Sequence, residues 1–194
     1  MITSSRVRDT KPAQSWRDQP ELLFLKRHVT TREKVSRHCA AYLRAVLFFL
    51  AVFGARLLGI HLFASDLPVT DQWDAEGAAL IVPAARGELT WDDFLAPHNE
   101  HRPALTRVLA FILLYSSGEW NARVQCVFSA ALWAAIATVV YIFGRESFRG
   151  RWRLAWLGSM LVLSGVPLSW NNLVLGFHSQ HVLFIGTSIV AVGL

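Results

Sequence analysis

AVLFFLAVFGARLLGIHLFA, residues Ala45 to Ala64, is twenty residues long with Arg56 its one formal charge, and that combination decides the fold. At ~1.5 Å per residue, a helix of this length covers the ~30 Å hydrocarbon core of a bilayer. Further apolar stretches at 122–143, 154–170 and 181–194 repeat the signal. Overall, 53% of the residues are hydrophobic and 17% charged, a balance too apolar for an ordinary soluble domain. The expected fold is therefore an all-α integral membrane protein with three transmembrane helices and a truncated fourth.

Charge alternates along the chain in a way that orients it. Residues 1–44 carry ten Lys/Arg against four Asp/Glu, residues 65–119 three against nine, and residues 144–153 four against one. Basic flanks stay on the cytoplasmic side, so the tail 1–40 and the Arg145 to Arg153 turn face inward, and the loop 65–121 faces outward. The tail is read as a flexible basic segment on the anionic inner leaflet, with a short interfacial helix at Glu21 to Val29. Its first 40 residues lack the apolar core of a cleaved signal, so the run from Ala45 is expected to act as an uncleaved anchor in the plasma (inner) membrane. The net charge of +5 lies along this topology and not on a nucleic-acid-binding motif, so no nucleic acid is expected as a partner. Cys39 and Cys126 are 87 positions apart and suggest no disulfide framework.

Pro103 to Ser117 is apolar but only fifteen residues long. If it crossed the membrane, the next span would leave the arginines of 145–153 on the wrong side. It is therefore read as a short helix in the outer interface, with Arg107 on its polar side. Residues 41–194 would then be the N-terminal part of a polytopic domain, because 181–194 spans only ~21 Å. Arg56 lies twelve residues past Arg44, about 18 Å deeper, and either snorkels outward or meets a buried partner.

The outward loop opens Asp66-Leu-Pro-Val-Thr-Asp71-Gln-Trp-Asp74-Ala-Glu76 and closes Pro97-His98-Asn-Glu100-His101-Arg102-Pro103. A carboxylate partly desolvated by Trp73 or Trp91 acquires a raised pKa and can act as general base toward a sugar hydroxyl, and Asp71, Asp74 and Glu76 lie close together in this loop. A solvated acidic loop is the plainer reading. His98, Glu100, His101, Arg102 and Arg107, at the head of a helix, suit phosphate recognition. His98 and His101 at i, i+3 leave open a divalent cation as a possible cofactor; satisfied imidazoles in a turn are the alternative. A second polar cluster, Trp170-Asn171-Asn172 through Gly176-Phe-His178-Ser-Gln180-His181, faces the same side and either joins the first over one site or simply forms the turn and caps the last helix. No GxGxxG, P-loop, CxxC or HExxH pattern occurs.

Taken together, Asp71-Gln-Trp-Asp74-Ala-Glu76, His98-Asn-Glu-His-Arg102, Trp170-Asn-Asn and Gly176-Phe-His-Ser-Gln180 resemble bacterial multi-pass cell-envelope proteins related to the GT-C glycosyltransferases, over roughly residues 40–194. The resemblance implies an enzyme that takes a sugar from a polyprenyl-phosphate donor and gives it to a glycan, lipid or protein acceptor outside the cytoplasm. It implies a base at Asp71 or Asp74, with Glu76 a third option. Carrier-phosphate contacts would come from Arg102 and Arg107, with Arg56 ranked behind them, and His178 and Gln180 would complete the substrate site. Such proteins have eight or more spans, so a chain of this length is expected to be inactive alone. The rival expectation is a non-enzymatic membrane protein, a transporter subunit or assembly factor, whose acidic loop binds a partner or cation.

Overall fold

The computed structural model describes residues 20–99, 102–166 and 179–193, and among them the chain is helical with no strand. It divides into two compact units, Met1–Arg44 and Ala45–Leu194. Helix α1, Pro20–Phe63, contributes to both. It begins 25 residues ahead of the expected span start, where the sequence suggested a flexible tail with a short helix at Glu21 to Val29; that stretch is helical but continuous with the rest. The reason is local: after Pro20 at the first helical position, no Gly or Pro interrupts the chain before Gly54.

In the second unit α1 is followed by a π-helical segment, Trp73–Ile81, then α2 (Val82–Arg86), α3 (Trp91–Leu95), α4 (Ala104–Ser117), α5 (Ala122–Ser147), α6 (Arg151–Gly165) and α7 (Ser179–Gly193). Two helical stretches, Lys34–Phe63 of α1 and α5, are long and apolar enough to cross a membrane. Helix α4 is held to 14 residues because Gly118, at φ 77°, takes the left-handed turn and returns its N–H to Leu114 O at 2.8 Å. Three residues later Asn121 Oδ1 accepts from Val124 N at 3.2 Å and starts α5.

Helix α5 presents a stripe of small residues, Cys126, Ala130, Ala134 and Ala137, all buried. Small side chains let helices approach closely, and Phe48 and Val52 of α1 fill the seam, with the Phe48 ring stacked 4.4 Å from that of Tyr141. The exterior is the apolar side: Leu47, Leu50, Leu58, Leu62 and Phe63 are exposed, whereas Arg107, Gln72, Gln125 and Glu76 are buried.

Arg56 neither snorkels nor meets a carboxylate. Its Nη1 lies 3.4 Å from Ser164 O and its guanidinium sits 5.3 Å from the Trp133 ring centroid, while Trp133 Nε1 donates to the same carbonyl at 3.0 Å. Ser164 is in the last turn of α6, whose carbonyls have no helical partner, so a cation and an indole together cap that end.

The α5–α6 hairpin closes on Trp156. Its Nε1 donates to Tyr141 O at 3.1 Å and its ring stacks on Phe148 at 5.3 Å. A methyl placed on Gly144 would fall inside the Trp156 ring. Gly144→Val is therefore expected to displace the indole, losing the stack and the hydrogen bond, at a cost of about 2–3 kcal/mol. Thermal unfolding of the detergent-solubilised protein checks this; an unchanged midpoint would mean the hairpin closes some other way.

Candidate functional site

The loop joining α1 to α5 is fastened at both ends. Arg123 Nε lies 3.1 Å from Asp66 Oδ1 and Arg123 Nη2 donates to Ala64 O at 2.9 Å, while Ala122 N donates to Asp66 O at 3.1 Å. The start of α5 is thus tied to the end of α1. Between these ties Thr70 stands at φ 50°, a conformation that costs a β-branched residue energy and that persists only where the surroundings hold it. The π-helical segment follows directly.

That segment sorts the three candidate carboxylates. Asp71 and Asp74 are exposed, whereas Glu76 is fully buried. Glu76 Oε2 accepts from Gln72 Nε2 and Gln125 Nε2, each at 2.9 Å, and Gln72 Nε2 also donates to Gln125 Oε1. Trp120 covers the cluster, lying edge-on to Trp73 at 5.5 Å and against the backbone at Gly77. Burial pushes the Glu76 carboxyl above the usual carboxylate range, opposed in decreasing measure by Gln72, Gln125 and Trp120 and by the Arg107 charge.

Arg107, expected on the polar side of α4, is 1% exposed. Its Nε donates to Ala75 O at 2.9 Å, and its Nη1 donates to Asp93 O at 3.0 Å and to Ala96 O. Asp93 and Ala96 lie at the C-terminal end of α3, where carbonyls lack helical donors. One guanidinium thereby joins the π-helical segment, α3 and α4. The start of α3 is set by Thr90, whose N–H and hydroxyl both donate to Asp93 Oδ2, at 2.7 and 2.8 Å, and these bonds hold the Asp93 carboxyl below its ordinary range.

Arg102 is exposed at the head of α4 and lines a cleft of about 460 Å³ with Pro103 to Thr106 and, from α7, His181, Leu183, Phe184 and Thr187. The first loop and the head of α7 therefore meet, while Asp71 and Asp74 are not among the cleft's walls. His98 is half-buried, with its Nε2 3.3 Å from Asn99 Nδ2. Glu100, His101 and His178 lie outside the described residues, as do Asn171, Asn172 and the Gln180 side chain. Among the described residues, no three of His, Cys, Asp and Glu come together as a metal site would require.

Gln72 and Gln125 were not picked out as site residues by sequence reasoning. Gln125 had a signal, an amide inside a membrane-length apolar run, which a bilayer tolerates only where a partner waits. The site and fold define a helical protein whose long helices expose many apolar side chains and whose polar loop packs around a buried carboxyl. The chain matches no protein-family model, no curated protein and no solved structure.

Proposed function

We propose that the chain is a multi-pass inner-membrane protein of the glycosyltransferase-like kind, which binds a polyprenyl-phosphate sugar at its outward face and passes the sugar to an acceptor there. In this reading α1 from Ala45, α5 and α6 cross the bilayer, α7 begins a fourth crossing, and α3 and α4 lie in the outer interface. The exposed leucines and buried glutamines support it, since a lipid-facing surface reverses the polarity of a soluble one.

The observation that carries the reading is the cleft between α4 and α7. Arg102 and His181 stand on it beside Leu105, Leu183 and Phe184, so one ligand finds both a cation and apolar walls. That pairing suits an amphiphile with an anionic head and a hydrocarbon tail, and the outward side is where such a donor presents its sugar. Asp71 and Asp74, exposed in the same loop, are the candidate bases. Glu76 has no surface for an acceptor to reach, and Arg107 is engaged by three carbonyls, so both act in this reading through the loop's shape.

Two measurements test the proposal. An impermeant maleimide should label Asp92→Cys in intact cells and the native Cys39 only after permeabilisation; the reverse pattern would put the loop on the wrong side. Purified protein should bind polyprenyl phosphate, and Arg102→Gln should weaken that binding roughly tenfold, the size of one lost charged phosphate contact. Equal affinity for the unphosphorylated polyprenol, or no effect of Arg102→Gln, would remove the cleft from the function.

A further inference from the structure

Three buried polar atoms surround one carboxyl and have no hydrogen-bond partner: Glu76 Oε1, Gln72 Oε1 and Trp120 Nε1. Buried orphans of this kind are costly, about 1–3 kcal/mol each, and a cluster of them marks something missing. The rest of the network is complete. Glu76 Oε2 accepts two bonds, from Gln72 and Gln125, which uses both its lone pairs, and the amide nitrogen of Gln72 spends its two hydrogens on Glu76 Oε2 and Gln125 Oε1. What remains is two acceptors and one donor. An ionised carboxylate by itself leaves Gln72 Oε1 without a donor, because it brings no hydrogen.

We propose that Glu76 is a proton-binding residue, and that a single proton on its Oε1 completes the loop's interior hydrogen bonds and latches Trp73–Ile81 to α5. The proton comes from a hydronium ion at the outer aqueous face, leaving water behind. Oε1 then becomes a hydroxyl that donates to Gln72 Oε1 and accepts from Trp120 Nε1, while Oε2 stays the carbonyl already accepting two amide hydrogens. Glu76 and Gln72 pair through both ends, as a carboxylic acid and a primary amide do.

The charged surroundings agree with a neutral acid. From α4 the facing charge is Arg107, which is occupied by the carbonyls of Ala75, Asp93 and Ala96. Asp74 on the same segment is exposed, Asp93 on α3 bonds Thr90, and Arg123 on α5 is paired with Asp66. The other titratable group at this end of α5 is the buried Cys126 thiol, next to Gln125. Because burial raises the Glu76 carboxyl, the latch is fully formed at pH below the ordinary carboxylate range and is lost as pH rises through the raised value. The outer face, where pH varies with the surroundings, is the side on which this loop would sense it.

The inference stands whether or not the cleft binds a sugar carrier, and the donor-binding experiment can fail without touching it. Infrared spectra of the whole protein should contain a carboxylic-acid carbonyl band that persists above the pH at which ordinary carboxyls ionise, shifts in D₂O, disappears in Glu76→Gln and moves in Glu76→Asp. Amide hydrogen exchange across residues 72–81, corrected for its intrinsic pH dependence, should quicken roughly tenfold as that band titrates away, the equivalent of one hydrogen bond. In Glu76→Gln the exchange should keep one rate across the same range. A wild-type spectrum with no acid band above the pH range of ordinary carboxyls overturns the proposal. So does a Glu76→Gln protein whose exchange follows the wild-type pH profile. Should the Gln variant fail to fold, the wild-type band and exchange titrating together or apart decide the matter.

Discussion

Arg107→Ala is expected to destabilise the protein by about 3–5 kcal/mol. The residue is 1% exposed, and its guanidinium serves three carbonyls from two separate segments. Alanine leaves Ala75 O, Asp93 O and Ala96 O without the donor that desolvated them, at about 1–3 kcal/mol apiece before water enters to offset part of it. The loss is also one of connection, since α3 is a five-residue helix that cannot persist alone and depends on Arg107 to hold its carbonyl end. Arg107→Lys keeps the charge but not the fork that reaches two directions at once, and should recover less than half of the difference. Chemical unfolding in detergent gives the magnitude. Protease cleavage within residues 88–98 of the variant, with the spans still intact, would locate it. A variant as stable as the wild type would mean the three carbonyls find water instead.

The elements that sequence reading recovered are those governed by length and by punctuation. The run 122–143 lies within α5, and the segment after Pro103 is a helix too short to span, because an apolar run and a Gly118 stop are properties of the chain itself. What it could not recover depends on phase. Asp71, Asp74 and Glu76 fall within six residues, and which of them points inward depends on the segment being π-helical rather than α-helical, a choice that no residue in Trp73–Ile81 announces. Arg107 and Arg56 show the same limit from another side. Each was read by asking which charge or which water it reaches, whereas Arg56 and two of the three Arg107 bonds are spent on backbone carbonyls at helix ends, and helix ends have positions only once the fold exists.

Loss of sugar transfer on replacing one carboxylate of the pair Asp71 and Asp74 is the expectation that bears most directly on function. Asparagine keeps the size and hydrogen-bonding reach of aspartate but cannot take a proton at neutral pH, so the variant at the true base should fall by about 10²–10⁴-fold in kcat. Affinity for polyprenyl phosphate should stay unchanged, because neither residue lines the cleft. The other variant should lose less, since one acceptor proton needs one base. Glu76→Gln supplies the contrast: transfer should survive it while the loop's pH response disappears, which separates the base from the latch. The measurement is single-turnover transfer in proteoliposomes. If Asp71→Asn and Asp74→Asn both retain the wild-type rate, the outward loop holds no base and the acidic cluster belongs to partner or cation binding instead. A fall in rate matched by an equal fall in donor affinity would sink the proposal differently, by showing that the carboxylates shape the binding site and take no part in the proton transfer.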